Sequence, residues 1–317
     1  MMNENLRSAP HSTPHWADIG TLYGPLPPIE DGLRVRLIHR LARPTHTLSL
    51  WRVIMDEPLG LQWTLGVAQP IGVAAHTVLL TPDGCWPDMV HGPALTEVLD
   101  QGLALAWFDR LDLAWDGPDR ARAGPLHDRW PNTPWSAVAA WAWGVCRSTE
   151  VLRFLIDRPY RHVGVVGHSR GGKAVLIAGA VDSNIAAVVA HNSGTGGAAS
   201  LQSAFASAGA ESLAQLAEQF PHWLSPDVVN PAVQADLIAQ DAPSEWIRAI
   251  APRGLCVLQA SDDAWANPDG TQHMVRQVAE AWRDHPERLV LQHRTGGHAM
   301  TALDWQRAAE FVRGAVA

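Results

Sequence analysis

Three residues in the second half of the chain have the types that together activate a hydroxyl: Ser169, His298, and one of the neighbours Asp262 and Asp263. A serine hydroxyl is a poor nucleophile at neutral pH. It needs an imidazole to accept its proton, and the imidazole needs a carboxylate to fix its tautomer. Such a set transfers acyl groups through a covalent intermediate and requires no cofactor. Asp263 is the preferred acid, while one of the two aspartates is free to cap the helix expected near Pro268, where Asp is common. The backbone N–H of Arg170 is the first candidate to hold the developing oxyanion. A second donor is expected from the loop Pro82-Asp83-Gly84-Cys85-Trp86. The Arg170 guanidinium either adds positive charge there or forms a surface ion pair. Consecutive residues in a tight turn point apart, so His168 is expected to pack and not to act as the base. His191 reads as a satisfied core or rim histidine. His273, His285 and His293 lack metal-ligand spacing with any carboxylate, and no metal site is expected.

The elements that position these residues can be read around them. Val163–Val166 is an apolar strand that runs into Gly167-His168-Ser169-Arg170-Gly171 and then into an amphipathic segment from Lys173 to Ala180. Strand, very tight turn and helix with serine at the apex form the nucleophile elbow of an α/β-hydrolase. Glycines at 167 and 171 are needed where strand and helix approach. In that fold the chain order is Ser, then acid, then His. Leu255–Ala260 is a strand that ends at Ser261-Asp262-Asp263, and Arg288–His293 is the last strand before His298. Further strands are expected at Leu33–Leu41, Thr47–Met55, His76–Leu80, Leu103–Phe108 and Ile185–Ala190. Helices are expected at Ser136–Ile156, Gly270–Arg283 and Ala302–Ala315. Strands alternating with helices predict a mainly parallel central sheet with helices on both faces. Residues 199–250 read as a helical insertion broken by Pro221, Pro226, Pro231 and Pro243, placed to cap the site. Residues 1–30, rich in proline, read as a surface arm, and 31–317 as one domain.

Composition bounds the partners. The 317 residues are 47% hydrophobic and 18% charged, which predicts a globular chain with a substantial core. The formal charge of −8 and the lack of a basic cluster argue against nucleic acid. No run of about 18 apolar residues occurs, so no membrane span is expected. Met1 to Pro14 is polar and lacks a secretory apolar segment. The sequence as given is therefore expected to be cytoplasmic, or secreted where a leader has been removed. Cys85, Cys146 and Cys256 are scattered and odd in number, which predicts reduced, buried thiols. Most of the fifteen tryptophans must be core, with some available to line a flat cleft, since an indole face stacks well on a sugar ring.

Gly167-His-Ser-Arg-Gly-Gly-Lys-Ala174 resembles the nucleophile block of the bacterial glucuronoyl esterases, carbohydrate esterase family fifteen. Further stretches agree in order: Trp141-Ala-Trp-Gly144, Asn192-Ser-Gly-Thr-Gly-Gly-Ala-Ala199, Phe220-Pro-His-Trp-Leu224, Asp263-Ala-Trp-Ala-Asn-Pro268, and Gly297-His298 with Asp304-Trp305. The resemblance implies cleavage of esters between glucuronic acid and an alcohol. By position it implies Ser169 as nucleophile, His298 as base, Asp263 as acid and Arg170 at the oxyanion. It implies that Lys173 and Glu211 bind sugar hydroxyls and that Trp265 packs on the uronate ring. The implied partner is a small-molecule or carbohydrate ester. Some members, notably fungal ones, place the acid where this chain has Asn192. An amide cannot support an imidazolium, which leaves Asp263 to serve alone.

Overall fold

The computed structural model describes residues 4–5, 17–28, 32–55, 60–155 and 159–317. Among the described residues ten strands form one sheet: β1 (Glu4–Asn5), β2 (Leu33–Ala42), β3 (His46–Met55), β4 (Gln62–Pro70), β5 (Thr77–Thr81), β6 (Ala104–Phe108), β7 (His162–His168), β8 (Ile185–His191), β9 (Gly254–Ala260) and β10 (Leu289–Arg294). Their spatial order is β1-β2-β3-β4-β6-β5-β7-β8-β9-β10. From β6 to β10 every pairing is parallel, while β1 to β4 add an antiparallel edge that joins the rest through β4 and β6.

Among the described residues the helices are α1 (Ala17–Tyr23), α2 (Asp88–His91), α3 (Pro93–Asp100), α4 (Pro125–Arg129), α5 (Ala137–Phe154), α6 (Arg170–Val181), α7 (Leu213–Gln219), α8 (Pro231–Gln240), α9 (Pro243–Arg248), α10 (Pro268–Val278) and α11 (Ala302–Ala315). Alternation along the central strands puts a core on each face of the sheet. Val188 and Ala190 of β8 join the layer of α5 and α6, whereas Ala187 and Val189 join the layer of α3 and α11. Gly164 of β7 leaves room for α11, since a Cβ there would lie 2.5 Å from Val312. Six tryptophans (Trp63, Trp141, Trp143, Trp246, Trp282 and Trp305) are fully buried. Trp115 and Trp265 are among the exposed ones.

The structure departs from the sequence reading in several places. Strand β4 was not expected, and it supplies the antiparallel joint to β6. The 199–250 stretch is divided at its prolines, and Pro221, Pro226, Pro231 and Pro243 each open a short 3-10 or α-helix. Proline lacks the N–H that a first helical turn leaves unpaired anyway. Pro10 and Pro14 of the expected arm lie outside the described residues. Where the opening is described it is packed: Leu22 and Tyr23 are fully buried, and the Tyr23 hydroxyl donates to the Gly196 carbonyl. Ile156, the expected end of α5, also lies outside the described residues. Cys146 and Cys256 are buried, but Cys85 is exposed on the loop after β5, contrary to expectation. Among the described residues no helix is long and apolar enough to cross a membrane.

Candidate active site

Ser169 stands between the last residue of β7 and the first of α6, with φ 52° and ψ −118°. Such a backbone costs an L-residue about 1–2 kcal/mol, and the surroundings hold it there. Its N–H donates to the His191 carbonyl at the end of β8. A Cβ on Gly167 would lie 2.2 Å from the Gly171 carbonyl oxygen, and one on Gly171 would lie 2.5 Å from the Asp83 carboxylate. Gly167 thus lets α6 start directly behind the strand, and Gly171 leaves room for the Asp83 carboxylate. The serine is set at the carboxyl end of the central strand, over a helix N-terminus.

Asp263 and His298 come together from the ends of β9 and β10. His298 Nδ1 lies 2.6 Å from Asp263 Oδ2, and Asp263 is buried while His298 is part-exposed. Asp262 points elsewhere: its carboxylate accepts the Gly296 N–H at 2.8 Å. The helix near Pro268 is capped by neither aspartate, since Asn267 accepts the Gly270 N–H. Asp263 uses its other oxygen to cap the 3-10 turn Ala264–Ala266. The closing helix α11 is capped by Thr301, which leaves His298 out of that role.

The loop carrying His298 is held at successive residues. Asp262 takes the N–H of Gly296, Arg294 Nη2 donates to the carbonyls of Gly297 and Ala299, and Asn192 Nδ2 donates to the carbonyl of His298. Asn192 also accepts the Ala260 N–H through Oδ1, so it ties β9 to the loop. Arg294 is itself fixed by Asp304, at 2.8 Å to both carboxylate oxygens. Burial would raise the Asp304 pKa, but hydrogen bonds from His191 and Arg294 hold it well below the carboxylate range. His191 is fully buried against Asp304, a satisfied core histidine. His168 turns its ring under His298, with centroids 4.6 Å apart, and its Nδ1 meets His191 Nδ1 at 2.7 Å. Burial, then His191 and His298, push its pKa down to about 2, so it packs as a neutral ring.

Ser169, Arg170, Lys173, Asn192, Glu211 and His298 line one cavity of about 150 Å³, with Phe220, Trp223 and Trp265 among its walls. A larger cavity, about 310 Å³, lies under β3 and β4 between Arg40, Trp51, Gln69 and Tyr160. It contains none of these groups, and size therefore does not locate the chemistry. Lys173 is buried and donates to the carbonyls of Ser193 at 2.5 Å and Thr195 at 2.6 Å. Burial pushes its pKa down to about 8, against the pull of Glu211. Glu211 is buried with its pKa raised by burial and lowered by Lys173 and by a hydrogen bond from Trp265. Its Oε1 has no hydrogen-bond partner among the described residues. Trp265 is 42% exposed, not core. Ser169, Arg170, Lys173, Glu211, Trp265 and His298, all singled out from the sequence, therefore line one cavity, and Asp263 joins them behind His298.

The loop after β5 departs from expectation. The N–H groups of Asp83, Gly84 and Trp86 are spent on Thr81, Phe108 and Asp83, and none of the loop lines the cavity. Arg170 does line it, and its guanidinium is ion-paired with Asp116 at 2.6 Å. Asp116 was missed by sequence reading. Among the described residues no group of three His, Cys, Asp or Glu is placed to hold a metal ion.

A strained serine at the elbow, a buried carboxylate behind an imidazole and a mainly parallel sheet flanked by helices define an α/β-hydrolase fold. The family model of fungal glucuronyl esterases matches residues 70–284, more than half of the chain. The chain belongs to the glucuronoyl esterase family. It is 31% identical over 196 residues to carbohydrate esterase MZ0003 from an unknown prokaryotic organism, covering 56% of this chain and 44% of that one. It is 29% identical over 197 residues to a 4-O-methyl-glucuronoyl methylesterase of Phanerochaete carnosa, covering 59% and 48%. The chain thus spans about half the length of these curated relatives. Among solved structures, a glucuronoyl esterase from Solibacter usitatus superposes with a TM-score of 0.77 at 22% identity, covering 94% of this chain and 90% of that one. One from Teredinibacter turnerae gives 0.78 at 21%, covering 95% and 84%. At such identity the superpositions speak for the fold.

Proposed function

We propose that this protein is a serine esterase acting on alkyl or aryl esters of glucuronic acid or its 4-O-methyl ether. Ser169 Oγ attacks the ester carbonyl as His298 takes its proton, and Asp263 holds the imidazole in the tautomer with Nδ1–H. The oxyanion forms against the Arg170 N–H and guanidinium. His298 returns the proton to the departing alcohol, which leaves a uronoyl ester on Ser169. Water, deprotonated by His298, then releases the uronate and the serine.

The observation that carries the substrate class is the pairing of Lys173 and Glu211 in the cavity of Ser169. A buried carboxylate oxygen without a partner is costly, and a cavity meant for a plain acyl chain has no use for one. Lys173 has spent two N–H groups on carbonyls and keeps one. Together the pair offers a donor and an acceptor, which suits hydroxyls on a sugar ring. Trp265 gives the ring a flat face. The names of the relatives, which act on 4-O-methyl-glucuronoyl esters, agree with this reading.

Lys173→Ala and Glu211→Ala are expected to lower kcat/KM for benzyl glucuronate about 10–100-fold, the worth of a hydrogen bond to a charged group, with little effect on benzyl acetate. Lys173 is charged below about pH 8 and neutral above it. Turnover of the uronate ester should therefore fall as pH rises through about 8, while the acetate ester shows no step that depends on Lys173. Equal losses on both esters would remove the sugar-binding role.

A further inference from the structure

Asp116 lies on the loop that follows β6, and its side chain is 9% exposed. Four donors converge on it: one from the start of α6, two neighbours from the 3-10 turn Pro221–Trp223, and one from its own loop. Arg170 Nη1 at the start of α6 lies 2.6 Å from Oδ2, and Arg110 Nη2 lies 3.5 Å from the same oxygen. Trp223 Nε1 donates to Oδ1 at 2.8 Å, and His222 Nε2 lies 3.0 Å from it. An ionised carboxylate only accepts, so Nε2 of His222 carries a proton. Burial would raise the Asp116 pKa, yet these hydrogen bonds and the Arg170 charge hold it well below the carboxylate range.

The network closes on the nucleophile. Arg110 Nη1 donates to Asp83 at 2.6 Å, and Asp83 accepts the backbone N–H of His168, the residue before Ser169. Arg170 also lies over the Trp223 indole, 4.9 Å from the ring centroid. Trp223 stacks in turn on Phe220, and both line the cavity. An arginine side chain 38% exposed has many rotamers open to it, and ordering it is costly in entropy. Here one N–H is fixed on Asp116 and the guanidinium carbon lies over Trp223, while the side chain lines the cavity.

We propose that Asp116 is a positioning residue: it holds the Arg170 guanidinium beside the oxyanion and docks the Pro221–Trp223 wall onto the nucleophile helix. The proposal rests on the reading of Arg170 at the oxyanion, and it is independent of which ester is the substrate.

The test uses a fluorophosphonate, which Ser169 attacks with loss of fluoride to form a phosphonyl-serine. That step needs the nucleophile and the oxyanion donors but no sugar contact. Rates would be measured for the wild type, Asp116→Asn, Arg170→Ala and the double variant, with thermal unfolding followed for each. Asp116→Asn should slow phosphonylation about 10²-fold, the usual worth of one oxyanion donor. In the Arg170→Ala background the same change should add less than about threefold, because residues acting through one another are non-additive. Should Asp116→Asn not fold, Trp223→Phe carries the test: it removes one donor to Asp116, keeps a ring under Arg170, and should slow the reaction several-fold only when Arg170 is present. An unchanged rate in the single variant, or an equal loss with and without Arg170, would overturn the proposal. Failure of the uronate reading would appear separately: rapid phosphonylation of Ser169 with no turnover of glucuronate esters.

Discussion

With alanine at position 169, ester hydrolysis is expected to fall about 10⁶-fold in kcat, to the level that binding and oxyanion stabilisation sustain alone. The substitution removes one oxygen and little else. Alanine and serine both carry a Cβ, so the strain at φ 52° is shared and the elbow keeps its shape. The Ser169 N–H still reaches the His191 carbonyl, and α6 still begins at Arg170. Thermal unfolding should therefore match the wild type while covalent labelling by a fluorophosphonate disappears. A variant that keeps its labelling, or loses less than about tenfold in kcat, would show that another residue attacks the ester.

The second large effect is expected at Asp263. Asp263→Asn should lower kcat about 10⁴-fold, since an amide at Oδ2 favours the wrong imidazole tautomer and offers no charge to the imidazolium. The expected effect of Asp262→Asn is small, within about tenfold, because Asp262 holds the N–H of Gly296 and the Ser261 hydroxyl and does not touch His298, and an amide oxygen can still accept the Gly296 N–H. The adjacent residues thus form an internal control with the same chemistry and different directions. A large loss at 262 with a small one at 263 would reassign the acid. Kinetics with one leaving alcohol, run on both variants in parallel, would decide it.

How much of this was legible in the sequence depends on how local the cause is. The elbow was legible because its geometry is dictated locally: an apolar strand, a serine between glycines 167 and 171, and an amphipathic helix follow one another directly. The placement of Ser169, Asp263 and His298 was legible because each follows a strand of the same sheet, β7, β9 and β10. The choice between Asp262 and Asp263 was harder. It turns on the pitch of the 3-10 turn at Ala264–Ala266 and on Asn267 taking the cap of α10. The strand β4 was hidden because Gly66 and Pro70 resemble turn residues. The alternation of Trp63, Leu65 and Val67 was the available signal, and Gly66 is there because a Cβ would lie 2.3 Å from the Trp107 indole. Asp116 gave no signal at all. It lies 54 residues before Arg170 and 107 before Trp223, and only the folded chain brings its donors together. The motif Phe220-Pro-His-Trp-Leu224 was visible as a pattern. Its physical content, two ring N–H groups aimed at one carboxylate, needed the structure.

The central claim is that this cavity is built for uronate esters. The most direct measurement compares kcat/KM for benzyl glucuronate and benzyl acetate, which share a leaving alcohol, with Ser169→Ala as the control. A site with buried groups that hydrogen-bond the sugar should favour the glucuronate by at least about 10²-fold, because the acetate leaves the third N–H of Lys173 and the Oε1 of Glu211 without the sugar hydroxyls they would meet. Equal turnover of the two esters, or preference for the acetate, would contradict the account.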